Sequence, residues 1–212
     1  MTPEDAAAKA GFIAAFFQSI RSRVAFTQQL WEEGRTDEAL LLVSCYIDGL
    51  GQRLHPRNAG SAATFVRVLR DHGCEPSLLA ILPTRLMEKI PRSGTNTTLA
   101  NPVRAFLSTL LAHEALAEGI LLAAAKPHLD PASFAHLERN IYRGTVASIA
   151  YEIIRSLNVH MLGSPGAVTF SATTFQGARL ADISYPVLRR AVDSIVDHAD
   201  ELSRRTNKWF GT

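Results

Sequence analysis

Apolar residues recur every three to four positions through most of this chain. That is the period of helices that bury one side. The first segment reads as a long helix: Thr2 is placed to cap it, Pro3 fits its first turn, and Glu4 and Asp5 complement the dipole. Phe12, Ala15, Phe16, Ser19, Ile20, Arg23 and Val24 follow helical spacing, and Gly34 predicts the stop. A second helix is expected from Thr36, as its cap, to about Gln52. Ala39, Leu40, Val43, Ile47 and Leu50 form its inward stripe, with Leu41, Cys45 and Asp48 on another face. A run that is apolar almost all round predicts a central helix.

A third helix is expected over Ser61 to His72, stopping at Gly73. Pro76, Pro83 and Pro91 predict short helical turns, and Ser93 to Thr98 an exposed loop. Asn101 and Pro102 suggest the start of a long helix through Ala124, and Asp130-Pro131 the start of another, bent near Gly144, that leads on to residue 160. Residues 163 to 166 read as a turn. Val168, Phe170 and Ala172 alternate, Gln176-Gly177 follows, and Arg179 to Ile183 completes an expected β-hairpin. A last helix runs from Ser184 or Tyr185-Pro186 to about Arg205. The fold class is therefore mainly α, a helical bundle with one small β-hairpin before the C-terminal helix. We read it as a single domain: an N-terminal helix over 1–35, a bundle core over 36–160, turn and hairpin over 161–183, and the C-terminal helix over 184–207.

Composition narrows the setting without naming a chemistry. A chain of 212 residues, 47% hydrophobic and 20% charged, can bury a substantial core. A net charge of +2 does not by itself point to nucleic acid. Of the 22 basic residues 18 are Arg, the side chain that grips phosphate in a fork, although a GC-rich genome enriches Arg and Ala in the same way. Cys45 and Cys74 form neither a disulfide framework nor a zinc site, which suits the cytoplasm. The N-terminus lacks a signal-peptide layout, and no stretch is long and apolar enough for a membrane span. No cofactor is expected. His113-Glu114-x-x-x-Glu118 lacks the second histidine of a zinc-protease helix, and no Gly-rich phosphate loop appears. Trp31 and Trp209 read as packing residues.

One segment concentrates chemistry: Tyr151-Glu152-Ile153-Ile154-Arg155-Ser156-Leu157-Asn158-Val159-His160. Arginine holds phosphate and histidine moves protons near neutral pH. On a helical wheel Tyr142, Val146, Ile149, Ala150, Ile153 and Leu157 face the core, and Tyr151, Arg155 and Asn158 gather opposite. In an unbroken helix His160 lies about 140° from Arg155. The two converge only if the helix unwinds near Val159 or if two chains pair. An Arg followed four to six residues on by His occurs here twice, at Arg155–His160 and Arg67–His72, about as often as chance supplies. Context favours Arg155, because Arg67 to His72 looks like the solvated, charge-paired end of the third helix.

Tyr151-x-x-x-Arg155-x-x-Asn158-x-His160 on a late helix resembles the HEPN superfamily (higher eukaryotes and prokaryotes nucleotide-binding). The stretches Ala39 to Leu50 and Thr64 to Leu69 are similar to bacterial members of that group. The resemblance spans about residues 36 to 160. It implies a helical homodimer that cuts RNA without metal, in a toxin or defence setting, with an antitoxin or regulatory protein as a further partner. Arg155 and His160 would then be catalytic, supported by Asn158, with Tyr151 and Ser156 binding substrate. The family usually carries Asn, Asp or His directly after the Arg, where this chain has Ser156. Asp48 is a candidate brace for Arg155, with pairing elsewhere or solvation as its alternatives. The alternative function is a catalytically inactive dimer module that binds a partner protein or nucleotide.

Overall fold

The computed structural model describes residues 2–56, 61–90, 97–111, 114–157, 169–170 and 173–211, excluding the side chains of Pro3, Ser61, Arg155, Ser156 and Leu157. Helices dominate, with one small three-stranded sheet, so the mainly α class holds. The chain divides into two compact units. One comprises Met1–Glu75, Tyr151–Ala167 and Ser184–Thr212, and the other Pro76–Ala150 and Val168–Ile183.

The first unit contains α1 (Pro3–Glu32), α2 (Thr36–Leu54), α3 (Ser61–His72) and a π-helical turn over Tyr151–Leu157. Its C-terminal helix is Tyr185–Thr206, followed by a 3-10 turn at Trp209–Gly211. Thr2 caps α1 through a reciprocal box: its hydroxyl accepts from the Asp5 amide at 3.1 Å while the Asp5 carboxylate accepts from the Thr2 amide at 2.9 Å. Gly34 takes φ +77 just past the end of α1, the left-handed conformation that stops the helix. At the start of α2, Arg35 rather than Thr36 occupies the cap position, without a side-chain bond.

Helix α2 is central, packing against α1, α3 and the C-terminal helix. Ala39, Leu40, Val43, Ile47 and Leu50 are all buried, as their spacing requires. Each of the four larger side chains contributes roughly 1.5–3 kcal/mol on burial. Helix α1 differs from its expected phase. Ile13, Phe17, Val24 and Leu30 face inward, whereas Phe12 and Phe16 are exposed. Apolar residues run round two faces of this helix, so spacing alone leaves its rotation open.

The second unit starts with a 3-10 turn at Pro76–Leu79 and continues through α4 (Pro83–Lys89), α5 (Thr97–Leu107) and β1 (Glu114–Ala115). Next come α6 (Glu118–Ala125), α7 (Pro131–Asn140), a 3-10 turn at Ile141–Gly144 and α8 (Val146–Ala150). Strands β2 (Thr174–Phe175) and β3 (Ala178–Arg179) complete it. The first-unit helix Tyr185–Thr206 is then α9. Ile81, Leu86, Ile90, Val103, Phe106, Leu121 and Leu137 are among the core residues of this unit.

The long helix expected from Asn101 through Ala124 is two helices with a strand between them. Pro102 lies inside α5 rather than at its start. The hydroxyls of Ser108 and Thr109 turn back to the carbonyls of Ala105 and Phe106, each at 2.7 Å, and end the helix. The chain then pairs as a strand: Leu116 and Ile81 exchange amide-to-carbonyl bonds of 2.9 Å. β1 runs parallel to β2, and β2 pairs antiparallel with β3. The hairpin forms where the Gln176-Gly177 turn predicted it, but its strands are only two residues each. The bend at Gly144 also forms. A Cβ there would stand 2.6 Å from the Leu86 Cβ, so only glycine admits this approach to α4.

Candidate functional site

The chemistry-bearing segment opens with a π turn, which is an α-helix widened by one residue per turn and is frequent at functional sites. A wheel drawn at about 100° per residue therefore misplaces its side chains. Ile154, not Ile153, is the fully buried isoleucine. Tyr151, expected opposite the core, is half-buried, with its ring 5.5 Å from that of Phe65 on α3. The backbones of Arg155 and Ser156 belong to the turn, while their side chains lie outside the described structure. Asn158 and His160 lie wholly outside the described residues.

The turn packs against α2 and α3. These two helices approach closely because Gly51 has no side chain: a Cβ there would meet Val68 Cγ1 at 3.0 Å and Thr64 Cγ2 at 3.4 Å. One turn further on, His55 faces His72, their rings 5.8 Å apart and nearly parallel. On α3 the Phe65 ring meets Tyr151, and on α2 Asp48 lies one turn before Gln52. Asp48 is 6% exposed, and the Gln52 amide nitrogen stands 3.5 Å from both its carboxylate oxygens. Ser44, one helical turn earlier, is buried with an Oγ that makes no hydrogen bond among the described residues. Thr64 is buried as well. A polar strip inside an otherwise apolar interface costs stability, which makes it a candidate for function. Sequence reading found Asp48 but not Ser44 or Thr64; the four-residue spacing of Ser44 and Asp48 was the available signal.

A second cluster includes part of the Arg67 to His72 segment, whose sequence reads as a solvated, charge-paired helix end. His55 ends α2, Asp71 and His72 end α3, and His198 lies on α9, all in the first unit. The His72 and His198 rings are 3.8 Å apart and 15° from parallel. His55 Nε2 stands 3.5 Å from Asp71 Oδ2, which also faces Arg67 Nε at 3.5 Å. Burial holds the His55 imidazole below the ordinary histidine range, aided by the Arg67 charge and opposed by Asp71. Burial, then repulsion from His198, does the same to His72. Asp71 and His72 are adjacent, but His55 and His198 lie far from them in the chain, so spacing could not signal the cluster. His113, weighed above for metal binding, lies outside the described residues.

Elsewhere Trp31 stacks on Tyr185 at 5.2 Å, and Trp209 meets Phe16 edge-on at 5.0 Å, so both tryptophans pack. No described helix is long and apolar enough to cross a membrane. Comparison with protein-family models, curated proteins and solved structures found no match.

Proposed function

We propose that this chain is a metal-independent endoribonuclease of HEPN type, acting as a cytoplasmic homodimer in a toxin or defence setting. The observation that carries the reading is the buried carboxylate of Asp48, on the helix against which the Arg155-bearing π turn packs. A carboxylate so placed orients and retains an arginine charge beside it. The motif from Tyr151 to His160 supplies the rest of the chemistry.

In this mechanism His160 removes the proton from an RNA 2′-hydroxyl, whose oxygen then attacks the adjacent phosphorus. The bond from phosphorus to the 5′-oxygen breaks, leaving a cyclic phosphate. A second imidazole, from the other copy in the dimer, protonates the departing oxygen. Arg155, braced by Asp48, offsets the charge that builds on phosphate. Asn158 orients the phosphate, Ser156 contributes a hydroxyl to substrate binding, and Tyr151 donates to phosphate or stacks on a base. Phe12, Phe16 and Phe26 leave apolar rings exposed along α1, and a second copy or a regulatory antitoxin would cover such a surface.

Expression of wild type and His160→Ala in a bacterial host tests the reading, with growth and total RNA integrity as readouts. Growth arrest with cut RNA, both abolished by His160→Ala, is expected. Intact RNA and equal growth would replace the ribonuclease with the inactive dimer module.

A further inference from the structure

We propose that His55, Asp71 and His72 form a binding site for one divalent transition-metal ion of the zinc class, which staples the end of α2 to the end of α3. One donor atom from each of the three residues lies within 4.8 Å of the other two. Two imidazoles and one carboxylate are a donor set that zinc accepts, with water completing a four-coordinate shell. Around an ion with bonds of about 2.0–2.2 Å, tetrahedral donors stand about 3.4 Å apart. Binding would draw the three donors, now within 4.8 Å of one another, to that spacing.

Two features separate this cluster from an ordinary pair of helix ends. The first is His55 Nε2, buried and without a hydrogen bond: Asp71 Oδ2, 3.5 Å away, does not make one. A buried nitrogen left unbonded costs roughly 1–3 kcal/mol, a cost that coordination removes. The second is the stacking. His198 lies on His72 at 3.8 Å, and the His55 and His72 rings are parallel to within 5° at 5.8 Å, so both ligand rings already sit near one another before any ion arrives. Asp71 is the open side, with 35% of its side chain exposed, and gives an ion its entry. The guanidinium of Arg67 stands where the ion's charge would be felt most, beside the Asp71 carboxylate.

The site is independent of the ribonuclease reading. Asp48 and His55 are seven residues apart on α2, about 10 Å at 1.5 Å per residue, and zinc takes no part in the 2′-hydroxyl chemistry.

Zinc titration calorimetry, with cobalt(II) absorption as the geometric probe, tests this on the full chain freed of metal by chelation. One equivalent of zinc is expected to bind with micromolar or tighter affinity, and cobalt to give visible bands of a four-coordinate site with nitrogen ligands. Zinc at a hundredfold excess over Kd should raise Tm by roughly 5–10 °C. Asp71→Asn, at a half-exposed position that folding tolerates, should weaken binding roughly tenfold or more, and His72→Phe should abolish it. Arg67→Gln should tighten it several-fold by removing a competing cation. Absence of saturable one-to-one binding at 100 μM zinc (roughly the weakest affinity useful for a structural ion) would overturn the proposal. So would affinity unchanged in Asp71→Asn.

Discussion

Arg21 of α1 donates from Nη1 to Oδ2 of Asp200 on α9 at 2.7 Å, joining residues 179 apart in the chain. The same guanidinium reaches Asp197 at 2.9 Å, and Arg204 closes on Asp200 from the next turn of α9 at 2.6 Å. Asp200 is 93% buried on its side chain, so its charge survives only because both arginines hold it. Arg21→Ala is expected to destabilise the protein by about 1 kcal/mol, a modest value because Arg21 is 43% exposed and screened. Asp200→Ala should cost about 2 kcal/mol. Urea midpoints at low and high salt check both, and the Arg21 effect should shrink with salt.

Acid should expose the same network. Burial pushes the Asp200 carboxyl up, but the hydrogen bonds from Arg204 and Arg21 outweigh it and hold the group below its ordinary value of 3.8. The unfolded chain therefore takes up this proton first as pH falls. The stabilisation is complete above the unfolded value and is lost as pH drops through the lower folded value. Stability measured from pH 5 to pH 2 should fall less steeply in Asp200→Asn than in wild type. Parallel curves would show that other carboxylates govern acid unfolding.

Gly144→Ala should destabilise the second unit by about 1–3 kcal/mol. The added methyl would meet Leu86 Cβ at 2.6 Å and Ile81 Cγ2 at 3.1 Å, both in the core of that unit. Thermal unfolding of the single variant checks this; Leu86→Ala in the same background keeps the clashing Cβ and should recover nothing.

The hairpin turn offers a gain instead. Gln176 has φ +52 and Gly177 φ +78, the two left-handed positions of a tight two-residue turn. Asparagine tolerates the first position better than glutamine. Gln176→Asn should stabilise by about 0.5 kcal/mol, whereas Gly177→Val should destabilise by about 1 kcal/mol or more. Opposite signs in denaturant melts are the decisive outcome.

For activity, Asp48→Asn keeps the shape of the side chain and removes its charge. If Asp48 braces Arg155, RNA cleavage should fall by about tenfold or more, with the folded structure kept. Single-turnover cleavage of total RNA, paired with a circular dichroism melt, reads the two effects separately. Full cleavage in a folded Asp48→Asn protein would remove Asp48 from the site.

Much of the helical organisation could be read from local rules. The stripe Ala39, Leu40, Val43, Ile47 and Leu50 is buried as its period demanded. Asp130 caps α7, accepting from the amides of Ala132 and Ser133 at 2.9 and 3.1 Å. Gln176-Gly177 turns the hairpin. Each depends on neighbours within one helical turn or one hairpin, so a short window holds the whole cause.

Other features depended on partners far away in the chain. Phe12 and Ile13 are both apolar, and only packing in the first unit decided that Ile13 is buried and Phe12 exposed. Leu116 could have continued a helix, but Ile81 pairs with it in an isolated β-bridge. Tyr151 turned toward Phe65 because the helix widens into a π turn, which no 3.6-residue period announces. His55, His72 and His198 come from three helices and carry no shared spacing.

Local pattern in the chain was enough for the mainly helical class, most helix starts and stops, the central position of α2, and the arginine–histidine segment worth testing. Those follow from periodicity, capping and residue chemistry, all local causes. Packing between distant segments set the rotation of α1, the bridge between Leu116 and Ile81, the burial of Asp48, and the meeting of three imidazoles. Burial and proximity belong to pairs of residues distant in the chain, and they come into being only when the helices pack.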